Sequence, residues 1–268
     1  MNKLRSTLLL IIALFSLCPG TGHAETIIST SFATDEQRIN MIGKDDSESP
    51  YAPDGVAPSG AVFQLAGGGS CDTWMREGAA LMHNGGAVAI TLAGKNTDAI
   101  LTISAEISFD QYRPEEEAPE GKEPMSGEDI EKIKTCIKGG VATLGFYSEV
   151  QKKEFGNRYN SFAGLQVGYD GNVQLYANGV ASGDPIAYVG TFDPAAPSVL
   201  SFSVNTVTGA LVKASFGTST AKYEFSTTAF TKEATAFAGF GGSLGNYLYN
   251  ANFRKFEVTS EPAVSTPP

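Results

Sequence analysis

The chain of 268 residues carries 19 lysines and arginines against 29 aspartates and glutamates, a net charge of −10, with only two histidines and three cysteines. A surface this acidic repels nucleic acid and anionic lipid, and so few histidines and cysteines make a poor zinc ligand set. The length suits one large β-sandwich or two small domains, and no Pro/Ser/Gly linker separates two cores.

Residues 1–24 read as a secretory signal peptide. Lys3 and Arg5 precede the apolar run Leu8 to Leu17, and "GTGHA" sets Gly22 and Ala24 at the −3 and −1 positions, so cleavage is expected after Ala24. The run is too short to span a bilayer, and Leu17 stands where a lipoprotein signal before Cys18 wants a small residue. The mature chain is therefore expected to begin at Glu25 and to be secreted, periplasmic or held at the cell surface, without membrane insertion. With Lys3 and Arg5 gone, 17 basic residues face 29 acidic ones, net −12. His23 and Cys18 leave as well. His83 then stands alone: a Ser-His-Asp or Cys-His triad would have to use it, no G-x-S-x-G elbow exists, and in "ALMHNGG" it reads as a strand-end residue. Cys71 and Cys136, the two cysteines of an exported chain, are expected to form one disulfide.

"ETIISTSF" (25–32) is a natural first strand, followed by polar sequence to about residue 60. Short apolar segments then recur, among them "AVFQLA", "AVAITLA", "AILTISAEISF" and "VATLGFYSEV", each bounded by Gly, Asn, Asp or Pro. Many strands at short, even spacing indicate an antiparallel sandwich or barrel. Residues 110–125, "DQYRPEEEAPEGKEPM", are acidic and proline-rich and read as an exposed loop. They lead into "SGEDIEKIKTCIKGG", the one good helix: Ser126 caps it, Asp129 replaces the usual Glu/Gln of a capping box, Ile130, Ile133 and Ile137 form one stripe, and Gly139 suits its end. Residues 110–139 thus form a helical insertion, and the proposed disulfide would fasten it to "AGGGSCD".

"GLQVGYDGNVQLYANG" (164–179) reads as a hairpin. A two-residue loop at Asp170-Gly171 would set valine opposite glutamine, whereas a three-residue loop pairs Val167 with Val173 and Leu165 with Leu175. A slip of one residue turns every side chain to the other face, so the apolar match selects the longer loop, with Gly171 as the left-handed bulge residue. Asn178-Gly179 supplies a second tight turn. "SFSVNTVTGALVKASF" repeats the pattern, with Phe202 and Val204 before a Thr-Gly turn and Val212, Ala214 and Phe216 after it. Residues 261–268 read as a disordered tail.

The string "YDGNVQLYANG" resembles the D-G-x-x-x-L-Y-x-N-G strand pair of laminin-G-like domains in the concanavalin A-like lectin/glucanase superfamily. The early "TSF", the lone Trp74 before a glycine-rich ribbon and the closing "NANFRKFEV" agree in order. The resemblance implies a two-sheet antiparallel jelly roll over residues 25–260, and the helical insertion departs from it. It also frames the search for chemistry. Glucanases of this fold carry Glu-x-Asp-x-(x)-Glu on one strand, placing acid, nucleophile and helper on one face. Here Glu106 and Asp110 share a face but Ser108 takes the middle position, so that signature is missing. Calcium is the one cofactor left open, through the turn residues Asp170, Asn172, Asp184 and Asp193, which turn formation alone also explains. Glycan binding on such a fold uses loop aromatics and amides. The candidates are Tyr176 and Asn178, with Asn246, Tyr247 and Tyr249 in the glycine-rich segment 240–250. The reading is an exported, non-catalytic module for extracellular polysaccharide or cell-surface glycan. Its alternatives are a structural or adhesive domain that binds protein surfaces, and a divergent glycosidase or lyase working through Glu106 and Asp110.

Overall fold

The computed structural model describes residues 24–33, 37–39, 51–67, 73–76, 78–82, 86–113, 125–150, 161–186, 192–217, 222–223, 225–243 and 249–263. In chain order the elements are β1 (Glu25–Thr30), β2 (Gln37–Ile39), β3 (Gln64–Gly67), β4 (Thr73–Arg76), β5 (Ala79–Met82), β6 (Gly86–Thr91), β7 (Ala99–Phe109) and α1 (Gly127–Lys138). There follow β8 (Val141–Tyr147), β9 (Phe162–Gly168), β10 (Val173–Ala177), β11 (Val180–Ile186), β12 (Ser198–Asn205), β13 (Ala210–Phe216), β14 (Lys222–Tyr223), β15 (Phe237–Ser243) and β16 (Ala251–Pro262). They form two antiparallel sheets. The nine-stranded sheet runs β14-β13-β12-β7-β16-β5-β4-β2, with β1 also on β16; the seven-stranded sheet runs β11-β10-β9-β8-β15-β6-β3. Among the described residues the fold is an all-β, two-sheet sandwich carrying one helix.

Alternation explains the layering. Along β7, Leu101, Ile103, Ala105 and Ile107 are buried while Thr102, Ser104 and Glu106 are half-exposed, as a strand with one face on a core requires. The facing sheet contributes Leu144, Phe146, Leu165, Val167, Val173, Leu175, Ala238 and Phe240 to the same core. The hairpin register is the one the apolar match selects: Val167 pairs with Val173 and Leu165 with Leu175, and Gly171 has φ +81°. Asn178 (φ +50°) and Gly179 (φ +76°) make the next turn, closed by the Ala177–Val180 pair. The hairpin of β12 and β13 departs from expectation. A bulge shifts its register beyond Ser203–Lys213 so that Leu211, not Val212, meets Val204, and Val212 turns out to solvent at 52 % exposure.

The helix forms where its caps place it. Ser126 accepts from the Asp129 N–H at 3.2 Å and donates to the Asp129 carboxylate at 2.6 Å. Ile137 is buried and Ile133 packs on the core, so the isoleucine stripe docks α1. Lys134 Nζ sits 5.5 Å from the centroid of the Tyr112 ring. Cys136 lies on the exposed side as a free thiol. Its expected partner Cys71 is outside the described residues, and the bridge is not part of the structure described.

One loop is braced electrostatically. Phe32 is buried with φ +56°, a left-handed backbone that costs a bulky residue on the order of 1–2 kcal/mol. The N–H groups on either side of it, Ser31 and Ala33, both donate to the Asp54 carboxylate at 2.8 and 2.7 Å, and Ser31 Oγ donates to it at 2.8 Å. Burial alone would raise the Asp54 pKa, but the donors from Ser31, Thr30 and Ala33 outweigh it and hold the carboxyl below its ordinary value. A depressed folded-state pKa means that the stabilisation is complete above the unfolded value, about 3.9, and is lost as pH falls through the folded one. Because the group is solvent-exposed, the Asp54→Asn change is expected to cost only about 1 kcal/mol at pH 7. Urea midpoints of wild type and variant should converge in acid; a gap that stays constant down to pH 2 refutes the brace.

Candidate functional site

The outward face of the seven-stranded sheet is built from residues that the core does not need. Its cross-strand pairing sets them in rows. One row runs Gly241–Thr143–Gln166–Gln174, the next Ala89–Gly239–Gly145–Gly164–Tyr176, and the third Phe237–Tyr147–Phe162. A lane of glycine and alanine therefore lies between a row of hydroxyl and amide groups and a row of aromatic rings. Ala87, Ala89, Tyr147 and Phe162 belong to a second apolar cluster, separate from the main core, against which Tyr176 and Phe237 pack.

Close approach explains the glycines. A Cβ on Gly145 or Gly164 would stand 2.7 Å from the Phe162 ring and nearer still to the backbone of the neighbouring strand. Phe162 thus fills that part of the lane. Gln166, Gln174 and Tyr176 remain half-exposed beside it, with the Tyr176 ring 6.4 Å from Phe162. Phe162 and Tyr147 are themselves buried, so the half-exposed Tyr176 is the ring that could stack on a sugar, with the Gln166 and Gln174 amides beside it to bond its hydroxyls.

The structure divides the residues expected to bind ligand. Tyr176 is on this face, and Asn178 is exposed in the adjoining turn. Tyr249 is 1 % exposed, its ring in the core and its hydroxyl accepting from the Arg113 N–H at 3.2 Å. It is a packing residue, because the odd-numbered positions Tyr249, Ala251 and Phe253 all face inward. Asn246 and Tyr247 lie outside the described residues. Tyr176 shares a row with Gly239, and β15 runs four residues further before ending at Ser243, about 13 Å away. Asn178 lies two residues beyond Tyr176 along the course of β10, in the direction away from Ser243.

A second polar group crosses the outward face of the nine-stranded sheet. Glu106 pairs with Arg254 and Ser108 with Asn252 across β7 and β16. Beyond them Asp110 accepts from the Asn250 N–H and Nδ2 at 2.9 Å each and from Asn252 Nδ2 at 2.8 Å. Arg254 donates to Ser108 Oγ at 3.2 Å, and Lys255 pairs with Glu106. Glu106 and Asp110 do share a face, as their spacing indicates. Each is committed to its own partners, an arrangement that suits a structural ladder better than an acid and a nucleophile.

The turn carboxylates behave as turn formers. Asp170 accepts from the Asn172 N–H at 3.0 Å and from its Nδ2 at 2.5 Å, and Asp193 accepts from the Ala195 N–H at 3.0 Å. The Asp184 side chain is not among those described. No group of three His, Cys, Asp or Glu converges among the described residues. An open cleft of 450 Å³ beside β1 and β16 contains Asp54, Lys255 and Glu257, each already bonded: Asp54 accepts from Ser31 and Ala33 in the cleft wall, Lys255 pairs with Glu106, and Glu257 accepts from Thr26 Oγ1 at 3.3 Å.

No family profile matches the sequence, and comparison with curated proteins finds no match. Among solved structures the chain is similar to the carbohydrate recognition domain of Emp46p in a potassium-bound form, at 15 % identity over 77 % of this chain and 90 % of that one, TM-score 0.43. It is also similar to lectin UEA-II complexed with galactose, at 12 % identity over 85 % of this chain and all of that one, TM-score 0.44. A lectin from Bauhinia forficata in complex with GalNAc gives 9 % identity, the same coverage and TM-score 0.44. Likeness at this level is one of general chain course, and no residue role passes from these proteins to this chain.

Proposed function

We propose that the protein is an exported, non-catalytic glycan-binding module that holds a polysaccharide against the outward face of its seven-stranded sheet. The observation that supports this reading is the cross-strand pair Gln166 and Gln174, half-exposed beside the half-exposed Tyr176 on the outward face of β9 and β10. The two amides match the donors and acceptors of sugar hydroxyls, and the half-exposed Tyr176 ring offers a stacking surface. A shallow face with a single ring gives weak affinity, about micromolar to millimolar. Export rests on the leader-like first 24 residues.

The test uses protein recovered from an exporting host, whose N-terminus should read Glu25, applied to a panel of immobilised polysaccharides. The Gln166→Ala, Gln174→Ala double variant should bind at least about tenfold more weakly, since two lost hydrogen bonds amount to roughly 1–3 kcal/mol, and its melting temperature should not move. Binding undiminished in the double variant removes this face as the site. Release of reducing ends, abolished by Glu106→Gln, would establish a glycosidase or lyase in its place. Binding to protein surfaces but to no polysaccharide would establish the adhesive alternative.

A further inference from the structure

The outward face of the nine-stranded sheet brings an aromatic ring near a guanidinium. Trp74 on β4 pairs with Leu81, Leu81 with Asn252, and Asn252 with Ser108. Trp74 and Leu81 are half-exposed, while Thr73, Met75, Ala80 and Met82 on either side of them are buried. Arg254 lies two residues further along β16, opposite Glu106. By strand geometry its Cα stands about 12 Å from that of Trp74, a gap that one sugar unit held between two long side chains can bridge. Glu106 faces Arg254 and yet is not its partner, because Lys255 bonds it. Among the described residues the guanidinium donates only to Ser108 Oγ, at 3.2 Å, which leaves most of its five N–H donors for water or a ligand. The carboxylates Asp110 and Glu257 have donors of their own. A bulge creates this situation. The register of β16 on β7 shifts between Arg254 and Glu257, and Lys255 takes φ +49°, a backbone that a lysine adopts only at a cost. Phe253 and Phe256 are buried, so the extra residue sets Arg254 and Lys255 outward side by side, and Lys255 draws Glu106 away from the arginine.

We propose that Trp74 and Arg254 form a second sugar site, selective for a hexuronate, in which the guanidinium grips the carboxylate and the indole stacks on the ring. An arginine fork matches a carboxylate with two parallel N–H···O bonds, where a lysine offers a single point charge. The indole, with Leu81 beside it, covers the apolar face of a pyranose. Ser108 holds the guanidinium in place, and Lys255 keeps Glu106 from occupying it. The chain as a whole is strongly acidic and repels a densely charged polyuronate. The site therefore suits single uronate units spaced along an otherwise neutral polysaccharide. It is on the opposite sheet from the glycan face, so either reading stands without the other.

Trp74 is the single tryptophan of the chain, so its emission reports on this site in the unaltered protein. Short oligosaccharides ending in glucuronate or galacturonate should change that emission saturably, with Kd about 1 mM. Their glucose and galactose counterparts should bind at least about tenfold more weakly, since they lack the charge-assisted pair. Arg254→Gln should abolish the preference for the acid, and Arg254→Lys, which keeps the charge but loses the fork, should retain only part of it. Lys255→Gly suits the positive φ and releases Glu106 to Arg254, so uronate affinity should fall about fivefold while the melting temperature holds or rises. If Arg254→Gln does not fold, Lys255→Gly and the wild-type comparison of acid with neutral sugar decide. The Gln166→Ala, Gln174→Ala variant should keep the full uronate response, so this site and the glycan face fail separately. The proposal is overturned if about 10 mM uronate leaves Trp74 emission unchanged, if acid and neutral sugars act alike, or if Arg254→Gln binds uronate as tightly as wild type. An unchanged affinity in Lys255→Gly overturns the role given to the bulge. Loss of the response in the glutamine variant overturns the site itself, by placing the uronate on the seven-stranded sheet.

Discussion

Phe240→Ala should lower stability by about 4 kcal/mol, a drop of roughly 8–16 °C in melting temperature for a domain of this size. Phe240 is fully buried in β15, an interior strand of the seven-stranded sheet, and its ring centroid lies 4.7 Å from Phe253, 5.3 Å from Phe256 and 5.6 Å from both Phe32 and Phe63. These rings come from both sheets and from the Phe32 loop, so one truncation opens a void that no single neighbour can fill. The loss combines transfer of the ring to water, the cavity left behind, and aromatic pairings each on the order of 1 kcal/mol. Phe32 depends on this support in a second way. Its left-handed backbone is held by Asp54 on the solvent side and by Phe240, Phe63 and Tyr51 on the core side. A melting temperature within 3 °C of wild type would show that the core repacks freely around β15 and that Phe240 is not its centre.

Much of this architecture was legible in the sequence because it is encoded locally. Leu165, Val167, Val173 and Leu175 specify their own register, and Gly171 supplies the one backbone conformation the longer loop needs. Ser126 and the isoleucine stripe likewise define α1 within a dozen residues. The misread positions depend on partners distant in sequence. Val212 keeps the spacing of an inward residue, and only the bulge opposite Val204 turns it out. Tyr249 sits in a glycine-rich stretch that looks like a surface loop, yet its inward position follows from pairing of the next residues with β5 and β7. The candidate sites were harder still. Gln166 and Gln174 were visible as outward positions of a hairpin, but their neighbour Thr143 comes from a strand that follows the helical insertion. The meeting of Asp110 with Asn250 spans 140 residues, and "NAN" carries no local sign of it.

The second large effect is expected at the residue beside Phe240, on the other face of the same strand. Gly239→Ala should cost about 3 kcal/mol, or roughly 6–12 °C, although it adds a single methyl group. Ala238 and Phe240 point into the core, so the side chain at 239 must point outward. A Cβ there would stand 2.0 Å from the Val88 carbonyl oxygen and 2.7 Å from the Ala89 Cα. Both are backbone atoms of β6, which cannot rotate away as a side-chain tip can. Relief requires β15 and β6 to part, and β15 is also paired along its length with β8. The strain therefore passes into Gly145 and Gly164, which have no slack of their own beneath the Phe162 ring. The glycines of this lane hold strands and ring at close quarters, and the flatness they create is what sets Gln166, Gln174 and Tyr176 level with one another. Binding by Gly239→Ala, measured well below its melting temperature, should accordingly weaken even though residue 239 offers a ligand nothing but backbone. A variant as stable as wild type would mean that β6 yields easily at this point; a destabilised variant that binds polysaccharide at full strength would place the ligand away from this face.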